Sequence, residues 1–175
     1  VRLLAEDADG ESIGFREPQL GALHAILAHW TTAESAATIV MPTGTGKTET
    51  MLGILVAEKC DRLLIVVPTD ALRTQIANKV LTLGILGAAQ GRLIEQAAQM
   101  PITSIVKHCP RTDSELQALV LHSNVVVTTS SIAAKLGSDQ ANRLAELCTH
   151  LFIDEAHHVE APTWRVFKET FKERR

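Results

Sequence analysis

The chain is 175 residues long, the length of one ordinary domain, and 46% of it is hydrophobic, enough to fill a sizeable core. A charged fraction of 21% excludes wholesale disorder, and a net charge of −3 excludes the basic excess of a stand-alone nucleic-acid binder, so any such contact has to be local. With aromatics at 3% and no tyrosine, the core has to come from Leu, Ile, Val and Ala.

Short apolar runs alternate with amphipathic stretches, the pattern of βαβ units and a mainly parallel sheet flanked by helices. Residues 17–30 are predicted as a helix, with Pro18 in the first turn and a stripe of Leu20, Leu23, Ile26, Leu27 and Trp30. Ala37-Thr-Ile-Val-Met41 reads as a buried strand, followed by a Gly-rich turn and a helix over about 47–58. The continuously apolar run Arg62-Leu-Leu-Ile-Val-Val67 reads as a strand covered on both faces, ended by Pro68. Asp70 is a candidate N-cap for a helix to about residue 82. Beyond Gly84, Gly87 and Gly91 a short helix over 91–99 is expected, then a strand over 102–106. A helix over 114–121 capped by Thr112 or Asp113, a strand over 124–128, a helix over 139–148, a strand over 151–153 and a helix over 161–174 complete the reading.

Cys60, Cys109 and Cys148 lie far apart with no CxxC pair, and an odd count argues against a closed disulfide framework, which predicts a reducing, intracellular setting. No apolar run approaches the roughly 20 residues of a membrane span. The start lacks a signal-peptide core and an initiator Met, and is read as the beginning of a fragment.

The central motif is Met41-Pro-Thr-Gly-Thr-Gly-Lys-Thr48, set between a predicted strand and a predicted helix. Met41 stands where the full phosphate-loop pattern has Gly, so the match is to the core Thr43, Gly44, Thr45, Gly46, Lys47 and Thr48. Glycines let such a loop curl until its backbone N–H groups converge on phosphate oxygens, and the helix N-terminus adds partial positive charge. Lys47 is placed to reach the β- and γ-phosphates, and the Thr48 hydroxyl to ligate Mg²⁺. The second motif is Asp154-Glu155 at the end of the predicted strand 151–153, the edge of a parallel sheet where ligands bind. There Asp154 is expected to hold Mg²⁺ through its water shell, and Glu155 to orient and deprotonate an attacking water.

Together these motifs resemble the superfamily 2 helicases of the DEAH or DExH type: Asp154-Glu-Ala-His157 spells that family's box. Arg16-Glu-Pro-Gln19 resembles the family's upstream glutamine motif, in which the Gln amide reads the adenine edge. Pro68-Thr69, with Leu72 and Gln75 behind it, resembles motif Ia, and Val127-Thr128-Thr129-Ser130 resembles motif Ib; both touch the phosphate backbone of a bound strand in the family. The resemblance covers roughly residues 15–160. It implies a P-loop NTPase RecA-like fold, ATP and Mg²⁺ as cofactors, and His157 as the link from the ATP site to a second domain. The loop spelling, and Asp154-Glu-Ala-His-His158 with Trp164, resemble restriction-enzyme motor subunits and DNA repair helicases, which favours DNA over RNA as the track. The family's next motif and the second RecA-like domain, which carries an arginine finger, are absent from residues 1–175. The resemblance therefore implies that the chain is the first half of a motor, nearly inactive as an isolated ATPase.

Arg73 reads either as a phosphate contact or as a solvated helix charge. Arg174 and Arg175 lie on the wrong domain to be the finger, and His24, His29, His108, His122 and His150 lack metal-ligand spacing. Two other function classes compete: a P-loop ATPase switch acting on proteins without nucleic acid, and a degenerate scaffolding module. Gln19 and Thr128-Thr129 argue against the first, and the intact set Lys47, Thr48, Asp154 and Glu155 against the second.

Overall fold

Pro18 opens the first long helix, α1 (Glu17–Thr32), of a computed structural model that describes residues 1–6, 13–89, 92–95, 99–156 and 169–171. Its buried positions Gln19, Ala22, Leu23, Ile26 and Trp30 recur at three- and four-residue spacing, so one stripe of the helix is covered. Helix α2 (Lys47–Ala57) packs on α1. Gly53 permits the approach, since a Cβ there would lie 2.8 Å from Leu23 Cδ2. Helix α3 (Asp70–Thr82) follows, and then the short α4 (Gly84–Ala88), which meets α2.

The described chain divides into two compact units, Val1–Lys59 with Lys79–Met100, and Cys60–Asn78 with Pro101–Arg175. All four strands belong to the second. They are β1 (Leu63–Val67), β2 (Thr103–Ile105), β3 (Val125–Thr129) and β4 (His150–Ile153), all parallel in the order β2-β3-β1-β4. The register pairs Val67 with Thr129 and Val66 with Ile153, so the strands end at a common edge. Helices α5 (Asp113–Leu121), α6 (Ser130–Ala133) and α7 (Ser138–Leu147) supply the cover of one face. There Leu64, Val66 and Val126 share a core with Leu116, Val120, Ile132, Ala141, Leu144 and Cys148. Leu63, Ile65, Val67, Val125 and Val127, on alternate positions of the same strands, are equally buried, as a parallel sheet requires. This is an α/β fold with a parallel sheet flanked by helices.

The structure differs from the expected elements at several points. Residues 37–41 form no ladder, and Val40 is 91% exposed. An apolar run of five reports a demand for burial, whereas a strand needs a neighbour with backbone groups to exchange, and none is paired to it among the described residues. Thr69, not Asp70, caps α3: its hydroxyl accepts from Leu72 N at 3.3 Å, while Asp70 pairs with Arg73. Thr112 caps α5 by accepting from Glu115 N at 3.2 Å, and the Glu115 carboxylate in turn accepts from Arg111 N. Helix α4 forms where only a glycine-rich stretch was visible, while residues 92–95, inside the expected 91–99 helix, are not helical. Most of the expected helix over 161–174 lies outside the described residues.

Candidate functional site

The loop ahead of α2 lies within the first unit. Gly44 and Gly46 adopt φ of +83° and +90°, left-handed values that L side chains rarely take. Thr45 tightens the curl, its N and Oγ1 both donating to Pro42 O, at 3.3 and 2.6 Å. Thr50 closes the next turn, donating from its N to Gly46 O at 3.1 Å. Gly46 is the N-cap of α2 and, being glycine, has no side chain of its own to cap that end. A curled loop leading into a helix start without a side-chain cap fits an anion, because the first-turn N–H groups point along the axis toward it. Thr43 and Gly44 are exposed, and Thr45, Gly46, Lys47 and Thr48 half-buried, so the predicted phosphate ligands are accessible together.

The start of α1 holds this loop. Arg16 Nη1 donates to Gly44 O at 3.4 Å, and Gln19 Nε2 to Gly46 O at 3.5 Å, both at the long end of the hydrogen-bond range. Gln19 Oε1 accepts from Arg16 N at 2.8 Å. Both ends of the buried Gln19 amide thus engage backbone, and each still has one bonding position by its chemistry. A Cβ on Gly46 would collide with Gln19 Nε2, so loop and amide are fitted to each other.

The acidic pair lies within the second unit. Asp154 N donates to Val66 O at 2.9 Å, extending the β1–β4 ladder, and both carboxylate residues are half-buried just past it. Asp154 Oδ1 accepts from Glu155 N at 3.1 Å, which fixes the turn. Glu155 has φ of +52°, an uncommon value for a residue with a Cβ and a cost of order 1–3 kcal/mol. His157 lies outside the described residues, as do His158, Pro162, Trp164, Arg174 and Arg175.

The shared strand ends also bring Pro68, Thr69 and Thr129 to the edge that carries Asp154. Pro68 is half-buried and Thr69 exposed, its hydroxyl used as the α3 cap. Thr128 is 4% exposed and Thr129 2%; Thr129 Oγ1 lies 3.0 Å from Ser131 Oγ. Thr128 Oγ1 is buried without a hydrogen-bond partner among the described residues, beside a cavity of about 20 Å³ lined by Leu64, Ile132 and Leu144. The Thr128 side chain therefore turns into the core. Arg73 is not the solvated charge expected on its helix: it is 6% exposed, with Nη1 2.7 Å from Asp70 Oδ1. That contact is close enough for an ion pair yet off the hydrogen-bond line, and Nε has no acceptor among the described residues.

Sequence reasoning missed Glu49. It follows Lys47 and Thr48 in the first turn of α2, is buried, and binds Lys79 and the backbone of α4. Its partners lie 30 and 36 residues on, with no motif to connect them.

Against known families, the chain matches the type III restriction enzyme, res subunit, over residues 12–175. No match is found among curated proteins. Among solved structures, 14 chains match. One is the UvsW helicase from bacteriophage T4, at 17% identity and a TM-score of 0.61, with 92% of this chain and 50% of that one covered. At that identity the likeness speaks for the fold, and this chain spans half the length of that helicase.

Proposed function

We propose, from the premise that the chain belongs to the family of the type III restriction enzyme res subunit, that it is the ATP-binding half of a nucleic-acid-dependent translocase or helicase. The chain is an ATP-binding, helicase-type domain. The observation that carries the ATP-binding part of this reading is the loop itself. Gly44 and Gly46 in left-handed conformations lead straight into α2, whose N-cap residue Gly46 has no side chain. A switch acting on proteins without nucleic acid is not favoured by this family.

Each residue has a definite task in this reading. The loop from Thr43 to Gly46 surrounds the phosphates with backbone donors, and Lys47 adds a charge-assisted bond to the outer phosphates. Thr48 and Asp154 are oxygen donors, the chemistry that suits Mg²⁺. When bound, Mg²⁺–ATP supplies the electrophilic phosphorus and draws charge toward the leaving oxygens. Glu155 takes the proton of the attacking water, and the left-handed turn holds its carboxylate just past β4. Gln19 and Arg16 stand beside the loop to select adenine. Pro68, Thr69, Thr128 and Thr129 serve the nucleic-acid strand, DNA in preference to RNA, whereas Arg73, buried beside Asp70, is left a structural role. Because the Thr128 and Thr129 side chains are buried, those two act through their backbone. His157 and a second RecA-like domain complete the motor, and an arginine from that domain contributes about 10³–10⁵ in rate.

The test is equilibrium binding of a fluorescent ATP analogue to the full chain with Mg²⁺. Lys47→Ala is expected to weaken binding roughly 10- to 100-fold, the value of a charge-assisted hydrogen bond. Unchanged affinity in that variant removes the loop as the ATP site.

A further inference from the structure

The first turn of α2 contains a charge that the proposed site ought to avoid. Glu49 lies two residues after Lys47, on the turn assigned to a ligand carrying several negative charges. Its side chain is only 11% exposed, so water screens it poorly. The carboxylate is held at both oxygens. Oε1 accepts from Lys79 Nζ at 2.7 Å, and Oε2 accepts from Ile85 N at 3.1 Å. The fit is close: Gly84 sits at φ +51°, and a Cβ on it would collide with Glu49 Oε2. Three segments of the first unit, the start of α2, the end of α3 and the backbone at Ile85, therefore meet on one buried carboxylate.

We propose that the Lys79–Glu49 pair is a positioning device for the phosphate loop, with Lys79 neutralising Glu49 so that this turn accepts a triphosphate; the inference rests on the reading of the loop as the ATP site. Glu49 anchors the turn that presents Lys47 and Thr48, and its charge is favourable at a helix start while the site is unfilled. A bound polyphosphate feels that same charge as repulsion, in proportion to its own charge. Lys79 cancels the repulsion without releasing the anchor, because Ile85 N holds the other oxygen. The pair therefore sets the preference for triphosphate over diphosphate more than it sets nucleotide affinity as such.

Opposite single changes should move that preference in opposite directions. Lys79→Met leaves Glu49 uncompensated, and is expected to weaken binding of ATP about fivefold more than binding of ADP. Glu49→Gln keeps the shape and an acceptor for Ile85 N but leaves Lys79 uncompensated, and is expected to shift the ATP-to-ADP affinity ratio the other way. The double variant should return the ratio to that of the parent, and each shift should shrink as salt is raised. The measurement is titration of ATP and ADP analogues into the full chain, with thermal unfolding on each variant. A purely structural clamp gives equal losses for both nucleotides, and that result overturns the proposal, as does a ratio that moves in the same direction in both single variants. If Lys79→Met does not fold, Glu49→Gln and the double variant still decide it. Lys47→Ala separates the two levels: loss of binding there with an unmoved ratio at Lys79 and Glu49 sinks the device alone, while retained binding there sinks the site.

Discussion

Glu155 holds a conformation that its residue type resists. At φ +52° its Cβ crowds the backbone, a penalty that Gly avoids and that Asn partly offsets by hydrogen-bonding locally. This gives two substitutions with different signatures. Glu155→Gln removes the base and keeps the full strain; Glu155→Asn removes the base and tolerates the left-handed backbone better, because its short amide hydrogen-bonds locally. In the full-length enzyme, with its second RecA-like domain, both are expected to bind ATP and to hydrolyse it at a small fraction of the parent rate, and only Asn should gain stability, by about 0.5–1 kcal/mol. Chemical denaturation and a phosphate-release assay check both, and hydrolysis surviving in either variant removes Glu155 as the base. The sequence made this carboxylate legible, because an Asp-Glu pair after an apolar run marks a strand end. It hid the backbone angle, as it hid the depth of Thr128 and Arg73. A side chain's exposure depends on neighbours such as Ile132 and Leu144 for Thr128, which local spacing does not report. Glu49 was invisible for the same reason, since its meaning comes from Lys79 and Ile85.

The elements divide by how locally they are determined. The strands β1 and β3 were legible because Leu63–Val67 and Val125–Thr129 are apolar and β-branched enough to specify burial on both faces. Helix α5 was legible through its cap. Thr112→Ala should cost about 1 kcal/mol in chemical denaturation, the usual value of a lost N-cap bond, and a change near zero would mean that Glu115 alone organises that end. Residues 37–41 show where local sequence stops determining structure. Their apolar content resembles that of β1, yet pairing is a property of two segments and the sequence of one cannot supply it. Helix α4 escaped for a different reason: Gly84 and Gly87 lower helix propensity, and the tie from Ile85 N to Glu49 comes from tertiary structure. Helix α6, four residues long, is shorter than any hydrophobic period can reveal.

Taken as a whole, the molecule is expected to spend ATP only when its track is present. ATP hydrolysis by the full-length protein, joined to its second RecA-like domain, should rise on adding DNA, with a smaller rise for RNA of the same length. Phosphate release measured across a nucleic-acid titration checks this, and a rate indifferent to both polymers would return the protein-switch reading to contention. The family resemblance was visible in the sequence, whereas the division into two units was not, because neither unit is continuous along the chain. That interleaving limits how the molecule can be dissected. A gene cut after Lys59 would deliver the phosphate loop and Glu49 but leave behind the stretch Lys79–Met100, which carries the ammonium and the amide that hold the Glu49 carboxylate. No single pair of scissors frees the nucleotide-binding portion intact; a minimal version would have to splice residue 59 to residue 79 through an artificial bridge, or keep the intervening strand and helix as cargo.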